Sequence, residues 1–239
     1  MKKRALLLVV LLLAIVGFCV WRFSSPPPER VFRGKPESEW IRGLSYNNQA
    51  QPQQWREFGP EGVDVLVRGL QKSNHPLDRL YRKVYRRMPA LSGHVLPAPR
   101  EDFTRPTRMT LCALLAQLSP DDMAATPMMT AELRDEDPAV RTLAITFFTY
   151  GENQDALLNK LDKEKKQSLL PFFIADMRDP TVSVRNNATV ALGYYPEEAT
   201  AIVSILVQAL KDPDAHVAKV AANSLKKIDP VAAAQAGVK

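Results

Sequence analysis

The chain has 239 residues, a formal net charge of +6, 46% hydrophobic and 24% charged residues, and two cysteines. About 205 residues follow the N-terminal apolar run and the linker after it, enough for one domain with a continuous core. No disulfide is expected, because Cys19 lies in that apolar run and Cys112 on an apolar helix, so the cysteines do not fix the compartment.

The N-terminus opens with Lys2, Lys3 and Arg4, followed by an unbroken apolar run from Ala5 to Trp21. Its 17 residues rise to roughly 25 Å as a helix, short of a hydrocarbon core of roughly 30 Å but within reach if Arg4 and Arg22 snorkel. The run is either a membrane anchor or a signal peptide. Gly17 and Cys19 meet the small-residue rule for cleavage only weakly, and the cut would fall inside the apolar run, so residues 1–21 are expected to be an uncleaved transmembrane helix. The basic residues are nearly balanced across it, with Arg22, Arg30, Arg33 and Lys35 on the far side. A four-residue tail bearing three cations crosses poorly, so the expected topology is a single-pass protein with a cytoplasmic N-terminus and an extracytoplasmic main domain, periplasmic in a bacterium. Residues 22–36 read as a linker, stiffened by Pro26, Pro27 and Pro28.

Beyond the linker, Trp40, Ile41, Leu44, Trp55 and Phe58 suggest short helices that close one end of a core. Gly59 and Pro60 then start a helix to Leu70 in which Val63, Leu66, Val67 and Leu70 share a face. A second amphipathic helix is expected over Leu77 to Met88, with Arg79, Arg82, Lys83, Arg86 and Arg87 on its polar side. That stripe is either a solvated face or a dock for an anionic partner or lipid head groups. Pro89 to Phe103 reads as the longest loop.

From about residue 100 a phrase recurs in fixed register. Leu133, Arg134 and Asp135 are followed by Val140, Arg141 and Ala144; Met177, Arg178 and Asp179 by Val184, Arg185 and Ala188; Leu210, Lys211 and Asp212 by Val217, Ala218 and Ala221. Each opening apolar residue stands 7 positions before its valine and 11 before its alanine. The valines are 44 and 33 residues apart, and 33 residues before Val140 stands Thr107, heading a weaker copy with Arg108 at the arginine position. The 11 extra residues fall between Tyr150 and Lys166, in a connection that can hold a longer loop or an added helical turn. Apolar residues at helical spacing after an Asp-Pro turn predict helix, turn, helix, and a single pair cannot bury both of its apolar stripes. No run alternates as a strand does, so the fold is expected to be all-α.

These residues resemble the HEAT repeats, whose second helix often opens with aspartate, proline and then valine-arginine. The resemblance covers residues 100–229 well and reaches loosely back to residue 37. It implies an all-α, right-handed alpha-solenoid of about four to five helix pairs over residues 37–229, with 37–99 as a degenerate capping part and 230–239 as a tail. It also implies a structural ladder of Asp135, Arg141, Asp179, Arg185 and Asp212, ending where Ala218 replaces the arginine. The Gly34, Lys35, Pro36 and Trp40 stretch is similar to one found in chains with a membrane segment before HEAT repeats.

His75, His94 and His216 lie apart with no second ligand at metal spacing, and the chain has no Gly-rich phosphate loop, G-x-S-x-G elbow or H-E-x-x-H pair. We expect no catalytic, metal or cofactor site. The resemblance points instead to a non-enzymatic membrane-tethered scaffold for an unknown protein partner. The alternatives are a phycobilin-lyase-like protein, testable by absorbance after exposure to bilins, and a nucleic-acid binder using the basic stripe, which export from the cytoplasm would exclude.

Overall fold

The computed structural model describes residues 29–73, 105–118, 125–150 and 156–238, with Gly17, Leu80, Tyr81 and Tyr85 as single positions. The apolar run of residues 1–21 and the basic stripe from Arg79 to Arg87 therefore lie outside the described residues, apart from those single positions. Among the described residues no helix is long and apolar enough to cross a membrane.

The first described element corrects the expectation that the chain has no strands. Val31–Phe32 (β1) pairs antiparallel with Lys35–Pro36 (β2), Val31 opposite Pro36 and Phe32 opposite Lys35. Arg33 at φ 45° and Gly34 at φ 79° form the turn. Two successive residues with positive φ are what a two-residue hairpin needs to match the twist of its strands, and glycine is the residue that takes that backbone freely. The Arg-Gly pair was the missed cue. Residues expected to belong to an extended tether thus fold back, and the Trp40 indole Nε1 donates to the Phe32 carbonyl at 2.9 Å.

Three helices follow: α1 (Glu37–Arg42), α2 (Gln51–Glu57) and α3 (Gly59–Ser73). Trp55, only 2% exposed, sits among Phe32, Trp40 and Phe58. The rings meet edge to face at centroid separations of 5.2 to 6.0 Å, the arrangement their quadrupoles favour. Glu37, buried in α1, accepts from Arg68 Nε at 3.1 Å and Nη2 at 2.8 Å, tying α1 to α3. α3 buries more than one stripe, Val65 included, because α1 and α2 pack against it as well as the next helix.

From α3 the chain forms a row: α3 packs on α4 (Arg105–Leu118), α4 on α6 (Pro138–Thr149), α6 on α9 (Val182–Leu192) and α9 on α11 (Ala215–Ile228). A second helix precedes each of the last three. α5 (Thr126–Glu132) packs on α6, α8 (Lys163–Asp176) on α9, and α10 (Ala199–Ala209) on α11. The 11 extra residues supply α7 (Leu157–Lys160), a single turn laid against α6 with Leu157 and Leu158 buried. The valines and alanines of the recurring phrase, Val140, Ala144, Val184, Ala188, Val217 and Ala221, are all fully buried. Burying each valine contributes roughly 1.5–3 kcal/mol, and the small alanines let neighbouring helices approach. Ser224 marks that closeness, its Oγ donating to the Thr189 carbonyl of α9 at 2.8 Å.

Helix starts follow the sequence cues. Asp137 caps α6 by accepting from Ala139 N, ahead of Pro138 at the first helical position, and Asp214 caps α11 by accepting from His216 N and Val217 N. Residues expected to be a tail instead begin with a further short helix, α12 (Pro230–Gln235). Asp229 caps it, and its Ala233 is buried against α11.

Candidate functional site

The turns between paired helices carry one hydrogen-bond pattern three times. Asp135 Oδ1 accepts from Asp137 N at 2.9 Å, Asp179 Oδ1 from Thr181 N at 2.7 Å, and Asp212 Oδ1 from Asp214 N at 2.9 Å. Each carboxylate thereby folds its own turn, while its second oxygen takes an arginine from the preceding helix of the row. Arg108 of α4 pairs with Asp135, and also with Glu132 at 2.7 Å; Arg141 of α6 pairs with Asp179. Arg185 of α9 grips Asp212 with two bonds, Nε to Oδ2 at 2.8 Å and Nη2 to Oδ1 at 2.9 Å. The arginines also hold their own turns, Arg141 Nη1 donating to the Asp135 carbonyl at 2.6 Å and Arg185 Nη1 to the Asp179 carbonyl at 3.0 Å. Sequence separations within the pairs are 27, 38 and 27 residues. The middle value exceeds the others by the 11-residue insertion, so the insertion leaves the pairing geometry untouched.

These groups are mostly screened from water, with side-chain exposures of 12–15% for the arginines and 10% or less for Asp135, Asp179 and Asp212. The Arg185 guanidinium holds the Asp212 carboxyl below the usual carboxylate range. For Asp179 burial pushes the pKa up, but bonds from Thr181 N and Arg141 more than offset it, and the net shift is down. Burial likewise opposes the charge on Arg108, yet its bond to Asp135 and the field of Glu132 leave it raised. Asp176 is the exception. It is 9% exposed, its Oδ2 has no hydrogen-bond partner, and burial raises its pKa to about 6, with Arg141 lowering it and Asp179 raising it. The second turn therefore holds two carboxylates near one guanidinium, and only Asp179 is bonded to it.

A second feature is a common face along the row. Positions 3, 6 and 10 after each valine are Leu143, Thr146 and Tyr150, then Asn187, Val190 and Tyr194, then Val220, Asn223 and Lys227. Contacts between repeats join them: Asn187 Nδ2 donates to Thr146 Oγ1 at 2.9 Å, Tyr194 OH to the Thr149 carbonyl at 3.4 Å, and Lys227 Nζ lies 5.6 Å from the Tyr194 ring centre. At the α4 end the face opens into a cleft of about 480 Å³ between the Ser45–Pro52 segment, α4 and α6, lined by Ser45, Tyr46, Asn48, Gln51, Pro52, Thr110, Ala113, Leu114, Ala116, Gln117, Leu143, Thr146 and Tyr150.

Of the residues singled out from sequence, Asp135, Arg141, Asp179, Arg185 and Asp212 stand in the three turns and row helices just described. Arg79, Arg82, Lys83, Arg86 and Arg87 lie outside the described residues. His216 is exposed in the first turn of α11. Sequence reading missed Glu132, whose buried carboxylate reinforces the first pair, and the cleft, whose Tyr46 comes from an irregular segment with no repeat register. Arg108 could have been added to the ladder, since it occupies the arginine position of the weak copy. Among the described residues no cluster of His, Cys, Asp and Glu is arranged to hold a metal ion.

A family model described as HEAT repeats matches residues 170–236, from the middle of α8 to the end of α12. Residues 170–236 therefore carry HEAT repeats, and repeats of this kind generally serve as scaffolds for protein interaction. No curated protein matches the chain.

Proposed function

We propose that the chain is a right-handed alpha-solenoid of four to five helix pairs that works as a non-enzymatic, membrane-tethered scaffold on the extracytoplasmic side, binding a protein partner along the common face of α4, α6, α9 and α11. The observation that carries this reading is the shared register of that row: successive helices present the same positions to one face, with partly buried Arg-Asp pairs fixing each helix against the next turn. A surface repeated along one direction suits an elongated partner, and rigid spacing lowers the entropy lost on binding. Tethering rests on the apolar run from Ala5 to Trp21.

The test places a photo-crosslinking residue at Val190 or Asn223 on the face, and at Ala175, exposed on α8, in the full-length chain in its native membrane. Cross-links to a protein from Val190 and Asn223 but not Ala175 are the expected result. Equal labelling from all three, or none from the face, contradicts the assignment. Protease accessibility of a C-terminal tag in intact and permeabilised cells tests the side of the membrane, and a cytoplasmic tag overturns the orientation.

A further inference from the structure

We propose that the cleft between the Ser45–Pro52 segment, α4 and α6 binds a short, uncharged, proline-rich peptide segment in the extended polyproline conformation. The inference rests on the scaffold reading and names the partner chemistry for one end of the face.

Among the described residues, the 13 that line the cleft include no Asp, Glu, Lys, Arg or His, although 24% of the chain is charged, a share that would place about three such residues in a lining of this size. A charged segment entering the cleft would lose hydration with nothing to compensate it, so the lining selects for a neutral partner.

Pro52, Ala113, Leu114 and Leu143 supply small and aliphatic lining. Tyr46 and Tyr150, 56% and 71% exposed, bring two rings from segments far apart in sequence. Proline-rich segments dock in grooves of this composition because their rings pack on aromatic faces and their backbone is already extended, so little conformational entropy is lost. The volume of about 480 Å³ lies within the range of roughly 300–1,000 Å³ found for small binding sites and holds a few residues.

Both ends of the Gln51 amide are taken, Oε1 by Ser45 N and Nε2 by the Gly43 carbonyl, and the Thr110 and Thr146 hydroxyls donate to their own helices. Asn48 spends its Oδ1 on Ala50 N but keeps its amide hydrogens. Those hydrogens, the Gln117 amide and the Tyr46 and Tyr150 hydroxyls are all able to donate. A proline-rich backbone offers carbonyl acceptors and few N–H groups, so donors are what its receptor must supply.

The experiment titrates the purified full-length chain into a fluorescein-labelled, neutral Pro-Pro-Ala repeat peptide and reads anisotropy. Saturable binding that changes little between about 0.05 and 0.5 M salt is expected, because no ion pair is made. Tyr150→Ala should weaken it about tenfold, as loss of an aromatic anchor does, and Tyr150→Phe by a smaller factor, since the ring stays and one donor goes. Tyr150 is exposed at a helix end, so both variants keep the core, checked by unchanged circular dichroism. Tyr46→Ala gives a second, independent loss. No saturable binding, binding indifferent to both tyrosines, or tighter binding of a lysine- or glutamate-substituted peptide or of chitohexaose overturns the proposal. Cross-linking from Val190 and Asn223 separates the two readings. If it persists while the peptide fails, the cleft assignment falls alone; if it too is absent, the scaffold reading falls with it.

Discussion

Two parts of the molecule join helix to helix by different chemistry. Between α4 and α11 the joints are directional: a partly buried arginine on one helix meets the carboxylate that folds the next turn, three times over. Between residues 29 and 73 the joints are mainly shape, with the rings of Phe32, Trp40, Trp55 and Phe58 meeting edge to face, and Glu37 of α1 pairs with Arg68 and Lys72 of α3. A repeated interface needs contacts that fix spacing, because an error in one joint is passed to the next. An end has a neighbour on one side only, and large apolar rings cover it without having to propagate any register.

The largest effects come from breaking the aromatic end. Trp55→Ala should cost about 3–5 kcal/mol of local stability, since it leaves a cavity in a fully packed site. Because the repeat joints are nearest-neighbour, amides of α9 and α11 should keep their hydrogen-exchange protection while those of α1 to α3 lose it; uniform loss along the chain would show that the two parts are one cooperative unit.

Next is the ladder itself. Arg185→Ala removes both guanidinium bonds from the mostly shielded Asp212 carboxylate and is expected to cost about 2–3 kcal/mol in urea unfolding. The pH dependence has a definite sign. Asp179 and Asp212 have lowered pKa values in the fold, so they add stability above the ordinary carboxylate value of 3.8 and lose it as pH falls through their folded values. Arg185→Ala should therefore flatten the loss of stability below about pH 4, measured as the denaturation midpoint against pH.

Asp176 works the other way. With its pKa raised from 3.8 to about 6, its neutral form favours the fold, so its contribution is present below 3.8 and is lost as pH rises through about 6. Asp176→Asn is expected to stabilise by about 1–2 kcal/mol at pH 7 and to have no effect near pH 3. A destabilised variant at pH 7 would mean that the carboxylate has a partner in solution. The smallest effect is at the hairpin, where Gly34→Ala at φ 79° should cost about 1 kcal/mol, confined to residues 29–42 in hydrogen exchange.

The same contrast explains what could be read from sequence. The row was legible because its interface recurs: Val184, Ala188 and Arg185 hold places that Val217, Ala221 and an ending Ala218 hold again, and the insertion of 11 residues shows as a spacing change without a change of phrase. The end was legible only as a set of large apolar residues, since nothing repeats there to give register. The Arg33-Gly34 hairpin went unread because two residues per strand are too few to alternate. Glu132 and Asp176 occupy one place in the phrase, just before its opening apolar residue, yet Ala209 holds it in the third copy, so the carboxylate did not stand out as part of the pattern. The cleft depends on how the Ser45–Pro52 segment lies against α4 and α6, a long-range relation that spacing within either segment does not encode.

The most direct test of the account is a pair of double-mutant cycles, Arg141 with Asp179 and Arg185 with Asp212, using alanine at each site and urea unfolding as the readout. Separations of 38 and 27 residues should make no difference if both pairs are the same joint, so the two coupling energies are expected to agree, each at about 1–3 kcal/mol. Coupling in one pair and none in the other would contradict the claim that the row is a single repeated interface with its insertion held outside it.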